Sequence, residues 1–195
     1  MSLFVLLLET LLAPFLGLGV VLAFLLSSKR GRLAGLCDEL PERFGSIPDT
    51  ALDRLHGREI WWFHAASAGE VAGLAPLLAT LNQQGTRAIV LTTTTRSGRE
   101  AARALPAVAW AQFAPLDAWP FVRRFIKALS PHRLILTETE LWPTTLILAS
   151  RAGLSPALVN ARLTEKSVVR HRRVSALLSP ALRTLCVVGA QCEDD

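Results

Sequence analysis

The chain has 195 residues, of which 51% are apolar, and a formal net charge of +5. The apolar content is enough for a hydrophobic core and excludes wholesale disorder, while the basic balance favours an anionic partner: phosphate groups, nucleic acid or an acidic membrane surface. The three cysteines, Cys37, Cys186 and Cys192, lack the spacing of a metal site, which predicts reduced thiols in a cytosolic compartment and no structural metal.

An apolar stretch at residues 3–26 carries a single charge, Glu9. The stretch is long enough to cross a hydrocarbon core of about 30 Å, and it is too long for a signal peptide, which would also begin with basic residues. Pro14 leaves room for a helix lying in the membrane interface, and a buried soluble helix is the remaining alternative. Because basic residues follow at 29–32, we predict a membrane-anchor helix over residues 1–28, with the rest of the chain on the cytoplasmic side.

Short apolar, strand-like runs alternate with helical stretches after the anchor. The runs lie at residues 60–65, 88–92, 108–113, 133–137, 156–160 and 185–190. Between them, residues 70–81 and 119–129 have the apolar spacing of helices, although Pro76 predicts a kink or a later start of the first helix. The alternation predicts an α/β domain of βαβ units with a parallel sheet covered by helices on both faces. Ligands of such sheets bind beyond the carboxyl ends of the strands, so we expect the chemistry in the loops that follow the runs.

The first of these loops spans residues 64–70. Ser67 is placed to cap the following helix, and Glu70, three residues later, completes a capping box. Gly69 would let a ligand approach the backbone near the positive end of that helix. The same pattern is typical of a well-capped helix with no ligand, and the glycines do not form the GxGxxG fingerprint of dinucleotide-binding proteins.

The second loop, at residues 92–98, combines four threonines with Arg96, Ser97 and Gly98. Hydroxyls such as that of Thr95, next to an arginine at a strand-to-helix turn, suit the binding of sugar hydroxyls or phosphate. A polar turn in which Ser97 caps the helix fits the pattern equally well.

Two carboxylates, Glu138 and Glu140, follow the fourth run. A strand exit would aim both of them toward the same cleft, while Pro143 fixes the first turn of the next helix. The alternative interpretation is that the glutamates only complement the dipole at the start of that helix.

A basic segment follows the fifth run and contains Asn160, Arg162 and Lys166. From residue 161 to residue 183, six lysines and arginines stand against one acidic residue, Glu165. Such a helix could hold phosphates or lie against an anionic membrane leaflet, and a plain solvated face is the alternative.

Five short motifs follow the hydrophobic amino terminus along the chain. They are ERFG at 42–45, HAASAGE at 64–70, TTTTRSG at 92–98, ETELWP at 138–143 and NARLTEKS at 160–167. In this order, and across most of the chain, they resemble the motifs of the 3-deoxy-D-manno-octulosonic acid (Kdo) transferases. This chain covers only part of the usual length of that family.

The resemblance implies a GT-B architecture for the family. This chain would supply a Rossmann-like, acceptor-binding domain over residues 29–195, and the donor-binding, carboxyl-terminal domain is absent from it. The implied reaction is inverting transfer of Kdo from CMP-Kdo to the lipid A precursor in lipopolysaccharide synthesis, at the cytoplasmic face of the inner membrane. The resemblance implies no cofactor, no metal and no nucleic-acid partner.

The resemblance also implies roles for individual residues. Glu42 falls on the glutamate that is regarded in the family as the general base, which a sugar hydroxyl needs because it is a poor nucleophile until its proton is taken. Glu138 or Glu140 falls on a second essential carboxylate. The remaining candidates would line the acceptor cleft or bind the acceptor's hydroxyls and phosphates: Ser67, Gly69, Glu70, Thr95, Arg96, Asn160, Arg162 and Lys166.

The sequence departs from the family pattern in three ways. Thr144 stands where an asparagine usually follows the Trp-Pro pair, the chain has no tyrosine, and the donor domain is missing. We therefore expect the isolated chain to be inactive. A non-catalytic, membrane-tethered lipid A-binding module or half of a split transferase is the competing hypothesis, and an unrelated nucleotide-binding domain is the third.

Overall fold

The computed structural model describes residues 39–83, 85, 87–138, 141–162 and 175–191. The predicted anchor over residues 1–28 lies outside these ranges, as do Glu140 and Lys166. Within the described part of the chain, no helix is both long and apolar enough to cross a membrane.

Helices and strands alternate along the described chain after a short helical stretch at residues 39–43. They are α1 Asp49–Leu55, β1 Glu59–His64, α2 Ala68–Gln83, β2 Arg87–Thr93, α3 Arg96–Ala104, β3 Val108–Phe113, α4 Trp119–Leu129, β4 Arg133–Thr137, α5 Pro143–Arg151, β5 Pro156–Ala161, α6 Ser175–Leu182 and β6 Val187–Ala190. The predicted runs agree with these strands to within two residues at each end.

The strands form one parallel sheet with the order β3-β2-β1-β4-β5-β6. In the central strand, Trp62 lies opposite Val90 of β2 and Leu134 of β4. The strand order reverses between β1 and β4, which is the arrangement of a Rossmann fold and creates a crevice beyond the carboxyl ends of the strands. The sheet confirms the predicted parallel α/β architecture.

Hydrophobic cores lie on both faces of this sheet. Trp62 and Phe63 belong to different cores, because neighbouring side chains of a strand point to opposite faces. Phe63 packs in the core to which α2 and α3 contribute Val71 and Ala102, among others. Trp62 packs on the other side against Phe125 of α4, with the ring centroids 4.8 Å apart. Burial of one such side chain stabilises the fold by about 1.5–3 kcal/mol.

Helix α4 confirms the predicted amphipathic pattern of residues 119–129. Val122, Phe125, Ile126 and Leu129 are buried against the sheet. The basic side chains between them, such as Arg123, are exposed.

Helix α2 shows that the predicted late start at Pro76 is wrong. The helix begins at Ala68 and contains Pro76 in its interior. Pro76 and Ala72 are both exposed, so the proline lies on the outer face of the helix. The capping arrangement at Ser67 and Glu70 therefore determines where α2 begins.

Candidate functional site

The loops that carry the predicted motifs meet at the carboxyl ends of the strands. The β1 loop and the β2 loop are joined at Ala66, whose carbonyl oxygen accepts hydrogen bonds from the backbone N–H groups of Thr94 and Thr95, both at 3.1 Å. The β1 loop and the end of β4 are joined at Thr137, whose hydroxyl lies 3.0 Å from the carbonyl oxygen of His64. The structure thus brings three of the motifs to one edge of the sheet, as expected for ligand binding in such a fold.

In the β1 loop, Ser67 and Glu70 form the predicted capping box. The Ser67 hydroxyl lies 3.0 Å from Glu70 Oε1, and the backbone N–H of Glu70 points back to the Ser67 hydroxyl at 3.4 Å. Glu70 Oε2 accepts hydrogen bonds from the backbone N–H of Ala66 at 2.8 Å and from the Thr137 hydroxyl at 3.2 Å. Both carboxylate oxygens of Glu70 therefore hold the loop in place. A role of Ser67, Gly69 and Glu70 in binding substrate stays a prediction.

In the β2 loop, Thr95 caps α3. Its hydroxyl accepts a hydrogen bond from the backbone N–H of Gly98 at 3.1 Å and donates one to the carbonyl oxygen of Ala66 at the same distance. The alternative in which Ser97 is the cap is therefore wrong. A side chain at Gly98 would meet the Thr95 hydroxyl at 3.0 Å and the Ala66 carbonyl oxygen at 3.2 Å, so glycine lets the two loops pack together.

The segment that contains the ERFG motif docks against α4 and the loop after β3. The backbone N–H of Leu116 donates a hydrogen bond to the carbonyl oxygen of Arg43 at 2.8 Å, and Phe44 stacks on Phe121 with the ring centroids 4.9 Å apart. Gly45 has a φ angle of +78°, and a Cβ atom there would lie 2.2 Å from the carbonyl oxygen of Phe121. Only glycine fits this close approach, which places the preceding Glu42 at the carboxyl end of β3.

The carboxylate of Glu42 is held asymmetrically. Its Oε2 atom accepts hydrogen bonds from the backbone N–H of Phe113 at 2.7 Å and from Arg99 Nη1 at 3.1 Å. Its Oε1 atom has a single contact with a described residue that reaches the ion-pair limit, Arg103 Nη2 at 4.0 Å. The side chain is 14% exposed, so part of its surface is open to solvent.

Glu42 lies within a larger charged cluster that the sequence analysis did not predict. The arginine cluster consists of four guanidinium groups and two carboxylates: Arg43, Arg96, Arg99, Arg103, Glu39 and Glu42. The guanidinium groups of Arg43 and Arg99 lie 4.3 and 4.1 Å from the ring centroid of the buried Phe113. Arg96 pairs with Glu39, and Arg43 donates to the carbonyl oxygen of Thr94 at 3.0 Å. The cluster carries two more cations than carboxylates, which makes this end of the edge attractive to an anion.

The loop after β4 holds Glu138 in an uncommon backbone conformation. Glu138 has a φ angle of +55°, which is rare for a residue with a side chain, and its backbone N–H donates to the carbonyl oxygen of Val159 at 3.0 Å. Asn160, at the end of β5, has the same φ angle. Such conformations cluster at functional sites because the surrounding structure must enforce them. The predicted convergence of Glu138 with Glu140 stays a prediction, since Glu140 lies outside the described residues.

The two described candidates of the fifth motif, Asn160 and Arg162, lie on the other side of the edge. Asn160 and Arg162 are both exposed at the end of β5. Four strand spacings separate β3 from β5, which corresponds to about 19 Å between the strand ends near Glu42 and near Asn160. The structure therefore does not bring these residues together with Glu42.

A half-buried residue, Asp117, joins the loop after β3 to the start of α5 through its carboxyl group. It accepts hydrogen bonds from the backbone N–H groups of Thr144 at 3.0 Å and Thr145 at 2.7 Å, and from the Thr145 hydroxyl at 2.7 Å. Burial raises the pKa of Asp117 above 3.8, and the hydrogen bonds from Thr145 and Thr144 oppose that rise. Asp117 was not among the predicted site residues, although it lies only two residues before the start of α4.

A contact between His64 and Trp142 also connects the end of β1 with the residue before α5. The two rings meet edge to face with their centroids 5.5 Å apart, and His64 Nδ1 lies 3.1 Å from the Thr92 hydroxyl. Within the described residues, no group of three or more histidine, cysteine, aspartate or glutamate side chains could hold a metal ion. The metal-independence of the reaction stays a prediction.

A groove of about 590 Å³ lies between α4 and α5, away from the motif loops. Its lining includes Trp119, Arg123, Lys127 and Arg151. Two of these three basic residues, Lys127 and Arg151, stand in the last turns of their helices, where they complement the helix dipoles. We therefore locate the candidate site at the strand ends and not in this groove.

Comparison with known proteins places the chain in a family. The family model described as 3-Deoxy-D-manno-octulosonic-acid transferase (kdotransferase) matches residues 38–195. The probable mitochondrial 3-deoxy-D-manno-octulosonic acid transferase of Arabidopsis thaliana is 38% identical over 158 residues, which cover 79% of this chain and 34% of that protein. The 3-deoxy-D-manno-octulosonic acid transferase of Bordetella pertussis is 34% identical over 175 residues, covering 86% of this chain and 40% of that protein.

A solved structure supports the fold. The crystal structure from Listeria monocytogenes described as a UDP-N-acetylglucosamine 2-epimerase superposes with a TM-score of 0.51 over 70% of this chain and 40% of that chain. At 11% sequence identity this likeness shows the fold alone. The chain spans about a third of the length of the curated relatives it matches. Because the family match extends over residues 38–195, the chain belongs to the 3-deoxy-D-manno-octulosonic acid transferase family.

Proposed function

We propose that the protein transfers Kdo from CMP-Kdo to the lipid A precursor, and that this chain supplies the acceptor-binding half. Membership of the Kdo transferase family supports the reaction. The observation that carries the proposal is the asymmetric environment of Glu42. Both short hydrogen bonds fall on Oε2, which leaves Oε1 as the oxygen that accepts a proton at the edge of the sheet.

The proposed chemistry uses Glu42 as the general base. Oε1 takes the proton of the acceptor hydroxyl as the hydroxyl oxygen bonds to the anomeric carbon of Kdo. The bond between that carbon and the CMP phosphate oxygen breaks, and its electron pair leaves with CMP. Arg99 and the backbone N–H of Phe113 orient the carboxylate, because both donate a hydrogen bond to Oε2. General base catalysis of this kind contributes about 10²–10⁴-fold in rate.

Glu138 has a different task in this proposal. Three strand spacings separate β3 from β4, which corresponds to about 14 Å between the strand ends near Glu42 and Glu138. Paired carboxylates that act on one glycosidic centre are about 5–9.5 Å apart. We therefore assign Glu138 to orientation of the acceptor, and Glu140 remains the alternative for the second essential carboxylate.

The phosphates of the acceptor are proposed to meet exposed cations at this edge. Arg96 and Arg103 of the arginine cluster are about half exposed, with 45% and 51% of their side-chain surfaces accessible. Arg162, at the end of β5, and Lys166 are further proposed contacts of these phosphates. Because the acceptor is a membrane lipid, we place the reaction at the cytoplasmic face of the inner membrane, with residues 1–28 as the anchor. Transfer is proposed to be inverting and metal-independent.

The test is a transfer assay with the intact protein, CMP-Kdo and purified lipid A precursor, with the product identified by mass spectrometry. We expect a product that carries Kdo and depends on both substrates. Residues 1–195 alone are expected to bind the precursor without transferring Kdo, because the donor site is assigned to the remaining length of the relatives. Binding of the precursor by the intact protein without any transfer would instead support the non-catalytic binding module.

A further inference from the structure

Helix α5 begins without a cap of its own. Its N-cap residue, Trp142, makes no side-chain hydrogen bond to the helix, and Pro143 at the first position has no N–H. The next two backbone N–H groups, of Thr144 and Thr145, both donate to Asp117. The carboxyl group of a residue distant in sequence therefore accepts the hydrogen bonds of the N–H groups at the amino terminus of α5. Partial positive charge accumulates at that end of the helix.

The turn that carries Asp117 also holds the segment containing Glu42. The backbone N–H of the preceding residue, Leu116, donates to the carbonyl oxygen of Arg43 at 2.8 Å. The turn is closed by a hydrogen bond from the N–H of Ala118 to the carbonyl oxygen of Leu116 at 2.7 Å, and Ala118 is buried. Two adjacent residues of one turn thus contact the neighbour of Glu42 and the first turn of α5.

The start of α5 is the point to which the chain leads after β4. The chain leaves β4 at Glu138, whose N–H is bound to Val159, and it must reach Trp142 directly before the helix. Trp142 packs edge to face on His64 of the β1 loop. A shift of α5 would therefore move Trp142 and one end of the loop that carries the second candidate carboxylate.

We propose that Asp117 is a positioning residue of the transfer reaction, which holds Trp142 and the start of α5 in register with the segment that carries Glu42. The expected effect on kcat rests on the proposed function. The expected effect on the start of α5 rests only on hydrogen bonds of the described residues. Asp117 does not contact the reacting atoms in this account. It acts through the position of Glu138 relative to the acceptor.

The structural arm of the test is hydrogen exchange in the intact protein. Asp117→Ala is expected to increase the exchange rate of the amides of Thr144 and Thr145 at least tenfold, while Asp117→Asn, which retains one acceptor oxygen, gives a smaller increase. Asp53→Ala, which removes an exposed aspartate of α1, serves as the matched control and should leave these rates unchanged. Unchanged exchange in Asp117→Ala would overturn the proposal whether or not the protein transfers Kdo.

The kinetic arm is a double-mutant cycle with Glu138→Gln. A misplacement of about 1 Å costs about 10²-fold in rate, so Asp117→Ala is expected to lower kcat by about that factor with the KM for CMP-Kdo changed less than threefold. If Asp117 acts through Glu138, the same substitution costs little in the Glu138→Gln background, because residues that act as a unit are not additive. Equal losses in both backgrounds would refute the positioning role.

A milder variant and the activity of the wild type separate failure of the positioning role from failure to fold and from failure of the proposed function. Thr145→Val removes a single donor to Asp117 and provides a milder variant if Asp117→Ala does not fold, with a smaller loss of kcat expected in the same direction. Absence of transfer by the wild-type protein would refute the proposed function, and the exchange rates would then decide the structural coupling alone.

Discussion

Replacement of Gly45 by alanine tests how the segment with Glu42 is docked. Gly45 has a φ angle of +78°, and a Cβ atom there would lie 2.2 Å from the carbonyl oxygen and 3.0 Å from the carbonyl carbon of Phe121. Both atoms are helix backbone, so no side-chain rotation can relieve the overlap. Gly57 is the matched control, because its φ angle is +73° and nothing lies within 4 Å of its Cβ position.

Both substitutions place a side chain on a residue with a positive φ angle and therefore share that conformational free-energy cost. Only Gly45→Ala adds a steric overlap. A left-handed backbone costs a residue with a side chain about 1–2 kcal/mol, which is the whole expected effect of Gly57→Ala. Overpacking in a buried contact adds about 1–3 kcal/mol, so Gly45→Ala is expected to cost about 2–5 kcal/mol in total.

The assay is thermal unfolding of both variants and the wild type under one condition. For a domain of this size, 1 kcal/mol corresponds to a shift of about 2–4 °C in Tm, so Gly57→Ala lowers Tm by about 2–8 °C and Gly45→Ala by about 4–20 °C. The difference between the two variants is the informative quantity. Equal shifts in Tm would show that the Gly45 segment is not packed on α4 as described.

Two further predictions concern a helix cap and a buried carboxyl group. Thr95→Ala should lower the free energy of unfolding by about 1 kcal/mol through loss of the α3 cap, whereas Ser97→Ala should change it by less, as measured by urea denaturation; the reverse order would contradict the cap assignment. The pKa of Asp117 is raised above 3.8 in the folded state, so the folded chain holds this proton at pH values where the unfolded chain has lost it. The contribution of Asp117 to the free energy of unfolding is therefore complete below pH 3.8 and declines as the pH rises through the folded-state pKa. The stability of the wild type relative to the non-titrating Asp117→Asn variant should therefore increase toward acid pH in urea titrations, and a difference independent of pH would contradict the raised pKa.

The sheet could be predicted from sequence because its signals are local. The runs that form β3 and β4 were predicted with their observed bounds, since buried parallel strands read as short apolar runs between helical stretches. The capping box of Ser67 and Glu70 was predicted for the same reason, because both partners lie within one turn. Pro76 misled the prediction because α2 starts at its capping box and accommodates the proline on its exposed face.

The environment of Glu42 could not be predicted, because its partners are distant in sequence. Phe113 is 71 residues away and Arg99 is 57 residues away, and only the folded sheet brings them together. One signal was present in the sequence: Arg96, Arg99 and Arg103 recur at intervals of three and four residues, which places them on one face of α3. That stripe predicts a cationic helix face but does not identify the carboxylates that pair with it.

The edge strand β6 shows a limit of the expectation that both faces of the sheet are covered. Val187 and Val188 are 60% and 56% exposed among the described residues, although the run reads as a buried strand. A pattern of apolar residues predicts a strand, but the neighbours that cover it are set by the tertiary structure.

The assignment of Glu42 as the general base is tested by the rate of Kdo transfer of Glu42→Gln in the intact protein. Glutamine keeps the shape of the side chain and can still accept a hydrogen bond from the N–H of Phe113, but it cannot take a proton from the acceptor. We predict that kcat falls by about 10²–10⁴-fold while the affinity for the lipid A precursor stays within a few-fold of the wild type. Transfer at the wild-type rate by a folded Glu42→Gln protein would contradict the assignment of Glu42 as the general base.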